Sequence, residues 1–462
     1  MVASKAYSFL DQAVTSEDPF FMTIAPVACH SNVKFGQIVF SGTYDIHQVV
    51  TSPPIPAERH KDLFPNAIIP RNANFNPKKA SKFTHSLRGM AKSIDRFPKP
   101  SSVNWIHTLP HQNETNVEFN DHFYRNRLRA LQAVDEIVDG IITRLDEYRI
   151  LDNTYIVYST DNGYHIGQHR LQPGKECGFE EDINVPLIIR GPGVPKGEVT
   201  DIVTTHTDLA PTFLNLIGEK PRPEFDGVAI PVTETGLKEA KEKRHEHVNV
   251  EYWGFALTEG KYDKQIFWNN TYKSLRVIGK GYNLYYSVWC NNEHELYDLN
   301  VSVTEQLETR PEFCFYPHQA TKPLTDQTPH DTQTDPHQIH NIHPNTSDPS
   351  ASAPTHLRLD KHFHSLPRVL SRLDSLLLVL KSCKSDACTR PWSVLHPDGD
   401  VHNLSDALDP SFDHFYLEEQ RRVEFSRCEK GYIVDAEGPQ EALAYESLVT
   451  KGRNRVSWSE FV

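Results

Sequence analysis

The residues best suited to chemistry lie in segment 159–175, which reads STDNGYHIGQHRLQPGK. The apolar run 155–158 just before it predicts a buried strand. Asp161 and Asn162 would therefore stand at the end of a strand, which is where open α/β sheets bind ligands. A carboxylate oxygen and an amide oxygen are the hard ligands that Ca²⁺ or Mg²⁺ prefers. The sequence thus predicts a divalent metal site at Asp161 and Asn162.

Side chains that can bind an anion follow this pair closely. Lys175 carries a positive charge, and His165 and His169 can donate hydrogen bonds. We therefore expect an anion pocket beside the metal. The competing interpretation is an ordinary turn, because Asn and Gly tolerate positive φ and Asp hydrogen-bonds its own backbone.

Longer strings of sequence favour the metal and anion site. The string DNGYHIGQH at 161–169, the Gly-Lys pair that ends at Lys175 and the run FEEDINVPLIIRGPG at 179–193 together resemble the sulfatase family, and fungal arylsulfatases in particular. The resemblance implies that Asp161 and Asn162 bind Ca²⁺ or Mg²⁺. It assigns a catalytic role to Lys175, which would contact the sulfate group. The implied substrate is a small-molecule sulfate ester, with an aryl group in this subgroup.

A histidine further upstream joins the expected site. Residues 20–25 predict a buried parallel strand, which leads into a Pro/Ala-rich turn that ends at His30. Sulfatases have a similar turn whose His contacts the sulfate or the leaving oxygen, so the resemblance assigns a catalytic role to His30. Cys29 stands where the family usually has Pro. We expect His165 and His169 to contact the substrate.

The nucleophile of the family is missing from the 462 residues. Sulfatases use a formylglycine that is made from the first residue of a Cys/Ser-x-Pro-x-Arg motif, and no Cys or Ser of this sequence begins one. The adjacent Asp-Asp pair that supplies further metal ligands in the family is also missing. Both elements precede the region of resemblance, so we expect a sulfatase that lacks its amino-terminal part. We predict that this chain alone does not hydrolyse sulfate esters.

The order of strands and helices predicts an α/β fold. Apolar residues recur at three- and four-residue spacing through 121–150, which indicates a long amphipathic helix, with Arg125, Arg127 and Arg129 on its solvated face. This helix and its flanking strands suggest a right-handed βαβ unit, and 185–190 predicts another buried strand. The family resemblance implies a partial alkaline-phosphatase-like α/β/α sandwich with a small C-terminal antiparallel sheet.

Composition divides the chain into four parts. Residues 1–245 would form the sulfatase α/β core without its first strands, and 246–305, with short aromatic or alternating runs, a small antiparallel sheet. Residues 306–360 are rich in Pro, His and Thr, and we expect a disordered linker because they can bury little apolar surface. Residues 361–462 would form a helical extension packed on the core, since leucines recur at helical spacing through 366–380.

Charge and hydropathy exclude two kinds of partner. The formal net charge is −13, which argues against a nucleic-acid binder with a basic face. No run approaches the ~18–20 apolar residues that cross a bilayer. No signal peptide is visible in the sequence, so secretion is expected only through the family resemblance. Five Asn-x-Ser/Thr sequences offer glycosylation sites, and Cys383 and Cys388 are close enough for a local disulfide.

Two other interpretations stay open. The first is a phosphodiesterase or phosphatase of the alkaline-phosphatase-like superfamily, which would hold two transition metals through Asp and His clusters. The Asp-Asn pair with a later Gly-Lys favours a sulfatase over this enzyme. The second is a degenerate binding protein that keeps the anion pocket but has lost catalysis.

Overall fold

The structure of the protein is a computed structural model. It describes residues 1–35, 49–77, 102–260, 266–300, 335–344, 354–359 and 361–446. Within these ranges we find no helix that combines the length and the apolar character of a membrane crossing.

Helices and short antiparallel sheets make up the described part of the chain. The α-helices are α1 Val2–Ala13, α2 Glu114–Glu147, α3 Glu180–Ile183, α4 Leu209–Leu216, α5 Glu234–Lys243, α6 Leu366–Leu380, α7 Asp386–Thr389, α8 Pro391–Leu395 and α9 Leu404–Ala407. The strands are β1 Asn32–Phe35, β2 Val49–Ser52, β3 Ile156–Ser159, β4 Leu187–Arg190, β5 His247–Tyr252, β6 Ala256–Leu257, β7 Ile266–Phe267, β8 Tyr272–Gly279, β9 Tyr282–Trp289, β10 His294–Asp298, β11 His356–Leu359 and β12 His362–Ser365. One sheet has the order β10-β9-β8-β5, and the pairs β1-β2, β3-β4, β6-β7 and β11-β12 stand apart.

The long helix predicted at 121–150 is confirmed as α2, which begins earlier than expected. Its N-cap is Asn113, whose side-chain oxygen accepts the backbone N–H of Asn116 at 3.0 Å. Near its amino end Phe123 is fully buried and stacks on Tyr164, with ring centroids 5.7 Å apart. Its carboxyl half packs on α1 through a small apolar cluster. Because Tyr164 lies in the motif segment, α2 supports the expected site directly.

The predicted arrangement of the core strands is wrong in detail. Residues 20–25 form no strand in the described structure. The strands expected at 155–158 and 185–190 exist as β3 and β4, but they pair with each other in antiparallel register. Ile188 is 60% exposed, whereas a strand in a parallel sheet is covered on both faces. No further strand lies beside this pair in the described residues, so the expected βαβ unit is not formed.

The small C-terminal antiparallel sheet is confirmed, and the extension lies on it. Strands β5, β8, β9 and β10 fall within the predicted range 246–305. The predicted helix at 366–380 is confirmed as α6, and its fully buried residues Leu373, Leu376 and Leu377 share one apolar cluster with side chains of the sheet. The extension therefore makes its main apolar contact with this sheet, rather than with residues 1–245.

Two disulfides are present in the described part of the chain. Cys383 and Cys388 are bonded, as the sequence predicted. Cys290, which follows β9, is bonded to Cys428 in the extension. The Cys290–Cys428 disulfide therefore links the extension covalently to the sheet.

Part of the expected disordered linker is ordered against the sheet. The expectation for 306–360 falls largely outside the described residues, but 335–344 and 354–359 are described, and the second range includes β11. The backbone N–H groups of Asp335 and Ile342 donate to carbonyl oxygens of β10, both at 2.9 Å. The composition of 335–344 did not predict this order, because hydrogen bonding to an edge strand uses backbone groups and needs few apolar side chains.

Candidate active site

The Asp-Asn-Gly turn follows directly after β3 and is fastened to α3. The backbone N–H of Gly163 donates to the carbonyl of Asp182 at 2.8 Å, and that of Tyr164 donates to the carbonyl of Glu181 at 2.6 Å. A Cβ atom at position 163 would lie 1.9 Å from the carbonyl oxygen of Glu181. Only glycine therefore fits, and it lets the turn dock on the helix.

The predicted metal ligands stand on this turn near the protein surface. Asp161 is exposed, and its Oδ1 accepts the backbone N–H of Asn162 at 3.0 Å. The amide nitrogen of Asn162 donates to the carbonyl of Gly163 at 2.7 Å, which leaves the amide oxygen as its possible metal ligand. Two adjacent hard oxygens fit Ca²⁺ or Mg²⁺, although a full shell of six to eight oxygens needs further ligands.

A different group of potential ligands is buried behind the turn. His165, Cys177 and Asp182 each bring one ligand atom to within 4.8 Å of the others, and the described residues contain no second group of this kind. Asp182 already accepts the backbone N–H of Cys177 at 2.9 Å and contacts Nδ1 of His165 at 2.8 Å. Burial raises the pKa of the Cys177 thiol well above its usual range, whereas a metal would bind the thiolate. The group fits an internal ion pair rather than a metal site.

Asp182 favours a positive charge on His165. Burial of the ring, which is 4% exposed, acts to lower the pKa of His165, but the Asp182 carboxylate outweighs it and the pKa is raised. A Cβ atom at Gly174 would come within 2.7 Å of Nε2 of His165. The Gly-Lys segment can therefore pass close to this ring, so the His165 side chain lies beside the backbone that leads into Lys175.

His169 has a different environment. It is 3% exposed and stacks on Phe179, with ring centroids 3.7 Å apart. Burial lowers the pKa of His169 to about 3, so its ring is neutral at physiological pH. The structure places His169 in the interior behind the turn, and its contact with substrate stays a prediction.

Lys175 offers a cation without an acidic partner. Its side chain is half-buried, and in the described part of the chain no carboxylate forms an ion pair with its ammonium. Its backbone N–H donates to the side chain of Glu176 at 3.1 Å. Burial raises the pKa of Glu176. The ammonium of Lys175 is the group of this segment that could meet an anionic ligand.

Glu259 connects the three parts of the site. His30 is exposed, and the hydroxyl of the next residue, Ser31, donates to the Glu259 carboxylate. The hydroxyl of Tyr164, just after the turn, donates to the same oxygen at 2.6 Å. The backbone N–H of Glu259 donates to the carbonyl of Pro173 at 2.7 Å. One buried carboxylate thus joins the His30 loop, the Asp-Asn-Gly turn and the Gly-Lys segment.

Arg127 also reaches this site, so its predicted solvated position is wrong. Its guanidinium lies over the ring of Tyr164, 4.0 Å from the centroid, and donates to the carbonyl of Cys29 at 3.2 Å. Arg125 and Arg129 likewise donate to loop carbonyl oxygens, at 3.0 and 2.7 Å. A helical charge pattern could not show this, because the accepting loops lie far away in sequence.

Comparison with known proteins identifies the family. The family described as Sulfatase matches residues 2–219. The sulfatase ppz1 of the fungus Metarhizium majus is 34% identical over 446 residues, which are 96% of this chain and 80% of that protein. The chain belongs to the sulfatase family. The arylsulfatase of the alga Volvox carteri is 31% identical over 431 residues, and the match covers 90% of this sulfatase but 56% of the algal protein.

Solved structures resemble this chain less closely than these two sequences do. The putative sulfatase yidJ of Bacteroides fragilis is 18% identical, with a TM-score of 0.39 over 66% of this chain and 54% of that chain. Family membership confirms the predicted resemblance and the fold class, an α/β chain of the alkaline-phosphatase-like type with a small C-terminal antiparallel sheet. The roles of the individual site residues stay predictions.

Proposed function

We propose that this sulfatase binds aryl sulfate esters at Lys175 and His30, beside a divalent cation held by Asp161 and Asn162. The proposal is supported above all by Glu259, whose hydrogen bonds bring the three segments of the site together. A small-molecule ester suits this chain better than a nucleic acid, since the chain has a net charge of −13.

Each side chain would have a separate task. When bound, a divalent cation would add positive charge beside the sulfate oxygens. The ammonium of Lys175 would stabilise negative charge on the same group. Nδ1 of His30 lies 2.8 Å from the carbonyl oxygen of Ser31, and a carbonyl can only accept, so Nδ1 carries a proton. Nε2 of His30 is then the atom that would exchange a proton with the leaving oxygen, and it can donate one only when the ring carries a proton on both nitrogens.

Turnover requires more than these residues. The formylglycine of the family has no precursor motif within the 462 residues, and the proposed task of this chain by itself is binding without hydrolysis. The two disulfides support a further proposal, a place in the secretory pathway, because disulfides persist in oxidising compartments.

A turnover assay with 4-nitrophenyl sulfate tests the absence of hydrolysis. The purified 462-residue chain, incubated with Ca²⁺, should release no more nitrophenol than its Lys175→Met variant. Turnover that disappears in Lys175→Met would contradict the proposal of binding alone. Release from 4-nitrophenyl phosphate, but not from the sulfate, would instead favour the phosphatase interpretation.

Calcium titration tests the metal assignment separately. Isothermal titration of the wild-type chain should show Ca²⁺ binding that is weakened in Asp161→Asn, because the variant loses a charged oxygen ligand. Asp152→Asn, which changes a fully exposed carboxylate before β3, is the matched control and should leave Ca²⁺ affinity unchanged. Equal Ca²⁺ affinity in the wild type and Asp161→Asn would refute the assignment.

A further inference from the structure

Segment 335–344, which the sequence assigned to a disordered linker, connects the C-terminal sheet with the helix that holds the Asp-Asn-Gly turn. We call this segment the strap. The backbone N–H groups of Asp335 and Ile342 donate to β10, both at 2.9 Å. Between them, Gln338 is 1% exposed, and its Oε1 accepts the backbone N–H of Glu180, the first residue of α3, at 2.8 Å. The strap therefore joins the edge of the sheet to α3.

The contact of Gln338 with α3 takes the place of a helix cap. The first N–H groups of a helix have no partner within the helix, and the side chain of the preceding residue often accepts a hydrogen bond from one of them. The residue before α3 is Phe179, whose side chain makes no such bond. Gln338 supplies an acceptor from 158 positions further along the chain. The amino end of α3 is thus completed by the strap.

The backbone of the strap has an uncommon conformation at Gln338. Its φ is 51°, in the left-handed region, which is unfavourable for a residue with a Cβ atom. Such conformations persist where the surrounding structure determines them, and they cluster at functional sites. Here the Asp335 carboxylate accepts the backbone N–H groups of Ile339 at 2.9 Å and His340 at 2.6 Å. These hydrogen bonds hold the turn from which the Gln338 side chain reaches α3.

The short helix α3 in turn holds the residues before and after it in the site. The carbonyl oxygens of its second and third residues accept the backbone N–H groups of Tyr164 and Gly163, at 2.6 and 2.8 Å. The N–H group that Gln338 accepts belongs to the first residue of the same helix. Asn162 directly precedes Gly163, so a shift of α3 would move a side chain that is proposed to bind the cation.

We infer that the strap positions the Asp-Asn-Gly turn through Gln338 and α3, and that docking of the strap and binding of the cation favour each other. Gln338 is then a positioning residue, because it acts on the turn only through α3. The coupling to the cation rests on the proposed function, since it needs a metal at Asp161 and Asn162. Coupling between two sites is reciprocal, so the strap should raise the affinity for Ca²⁺, and Ca²⁺ should stabilise the docked strap.

Amide hydrogen exchange of the whole chain tests the positioning role without a metal. Gln338→Met keeps the length of the side chain but removes the amide oxygen. The amide nitrogen of Gln338 has no hydrogen-bond partner in the described structure, so the variant loses only the bond to α3. The amide hydrogens of Gly163 and Tyr164 should then exchange about fivefold faster, which is the usual effect of a lost helix cap.

Gln420→Met is the matched control for this substitution. Gln420 is 6% exposed, and its Oε1 accepts the backbone N–H of Leu443 at 2.9 Å. All of its side-chain hydrogen bonds join it to residues of the extension. The control therefore removes hydrogen bonds of the same kind without changing α3, and the exchange of Gly163 and Tyr164 should stay as in the wild type.

Calcium binding tests the coupling between the strap and the cation. In isothermal titration, the Kd for Ca²⁺ should be about fivefold higher in Gln338→Met than in the wild type, and unchanged in Gln420→Met. In the wild type, saturating Ca²⁺ should slow the exchange of the strap amides of Asp335 and Ile342 by about the same factor. A role of Gln338 in stability alone would not make these amides respond to Ca²⁺.

The inference and the proposed function can fail separately. Equal exchange of Gly163 and Tyr164 in the wild type and Gln338→Met would overturn the positioning role, and so would an equal increase in Gln420→Met. Strap amides that do not respond to Ca²⁺, in a chain that binds Ca²⁺, would overturn the coupling. If the wild type does not bind Ca²⁺, the proposed metal site fails together with the coupling, whereas the exchange of the turn still decides whether the strap positions it.

Discussion

Replacing Asp182 by Asn should destabilise the protein in a way that depends on pH. Asp182 is 3% exposed and contacts Nδ1 of His165 at 2.8 Å. Removing the charge of one partner from a buried ion pair costs about 3–5 kcal/mol. If His165 is neutral, the Asp182→Asn change only weakens hydrogen bonds, which costs about 1 kcal/mol. The size of the loss therefore reports the charge on His165.

The sign of the pH dependence follows from the raised pKa of His165. A group whose pKa is higher in the folded state than in the unfolded state stabilises the folded protein. The stabilisation is complete at pH values below the pKa of the unfolded state, which is about 6.5 for His. This stability is lost as the pH rises through the folded value. Urea unfolding at pH 6 should therefore show a loss of about 3–5 kcal/mol for Asp182→Asn, and unfolding at pH 9 a smaller one.

Asp208→Asn provides the matched control for this prediction. Asp208 is fully buried and accepts a hydrogen bond from Arg244 at 2.6 Å. Arg stays charged throughout this pH range, so the loss of stability should be similar at pH 6 and pH 9. An equally pH-independent loss in Asp182→Asn would refute the claim that Asp182 holds a charged His165.

Two further predictions concern the sheet and the extension. Burial raises the pKa of Glu246 to about 7. The protonated Glu246 carboxyl therefore stabilises the folded state fully at pH values below its unfolded-state pKa, and this stabilisation is lost as the pH rises through 7. Between pH 4 and pH 8 the stability of Glu246→Gln should rise relative to the wild type by up to about 3 kcal/mol, and a constant difference in urea unfolding would contradict this. The disulfides Cys290–Cys428 and Cys383–Cys388 span 138 and 5 positions. Replacing each pair by Ser should cost about 5 and about 2 kcal/mol by the chain-entropy relation, and equal losses in thermal unfolding would contradict that account.

Local patterns predicted the elements well. The periodicity of apolar residues placed α2 and α6, because one face of each helix is buried and this requires a regular spacing. The runs of aromatic and β-branched residues placed β8 and β9, in which buried residues lie on both faces of the sheet. The pairing of β3 with β4 could not be predicted, since an apolar run specifies a strand but not the direction of its neighbour.

The candidate site was predicted only in part. The motif segment showed Asp161 and Lys175 as possible ligands because those residue types and their order carry the resemblance. Glu259 and Arg127 were missed because each acts through contacts that are distant in sequence, with Ser31 and Cys29 respectively. A single acidic or basic residue in a loop or helix has no local signal that distinguishes such a role from exposure to solvent.

Equilibrium binding of 4-nitrophenyl sulfate to the 462-residue chain tests the central claim most directly. Isothermal titration with Ca²⁺ present should give one saturable site in the wild type and in Lys220→Met, a control that changes an exposed lysine. The site should be lost in Lys175→Met, because its ammonium is the cation proposed to meet the sulfate. Equal affinity of the wild type and Lys175→Met for the sulfate ester would contradict the account.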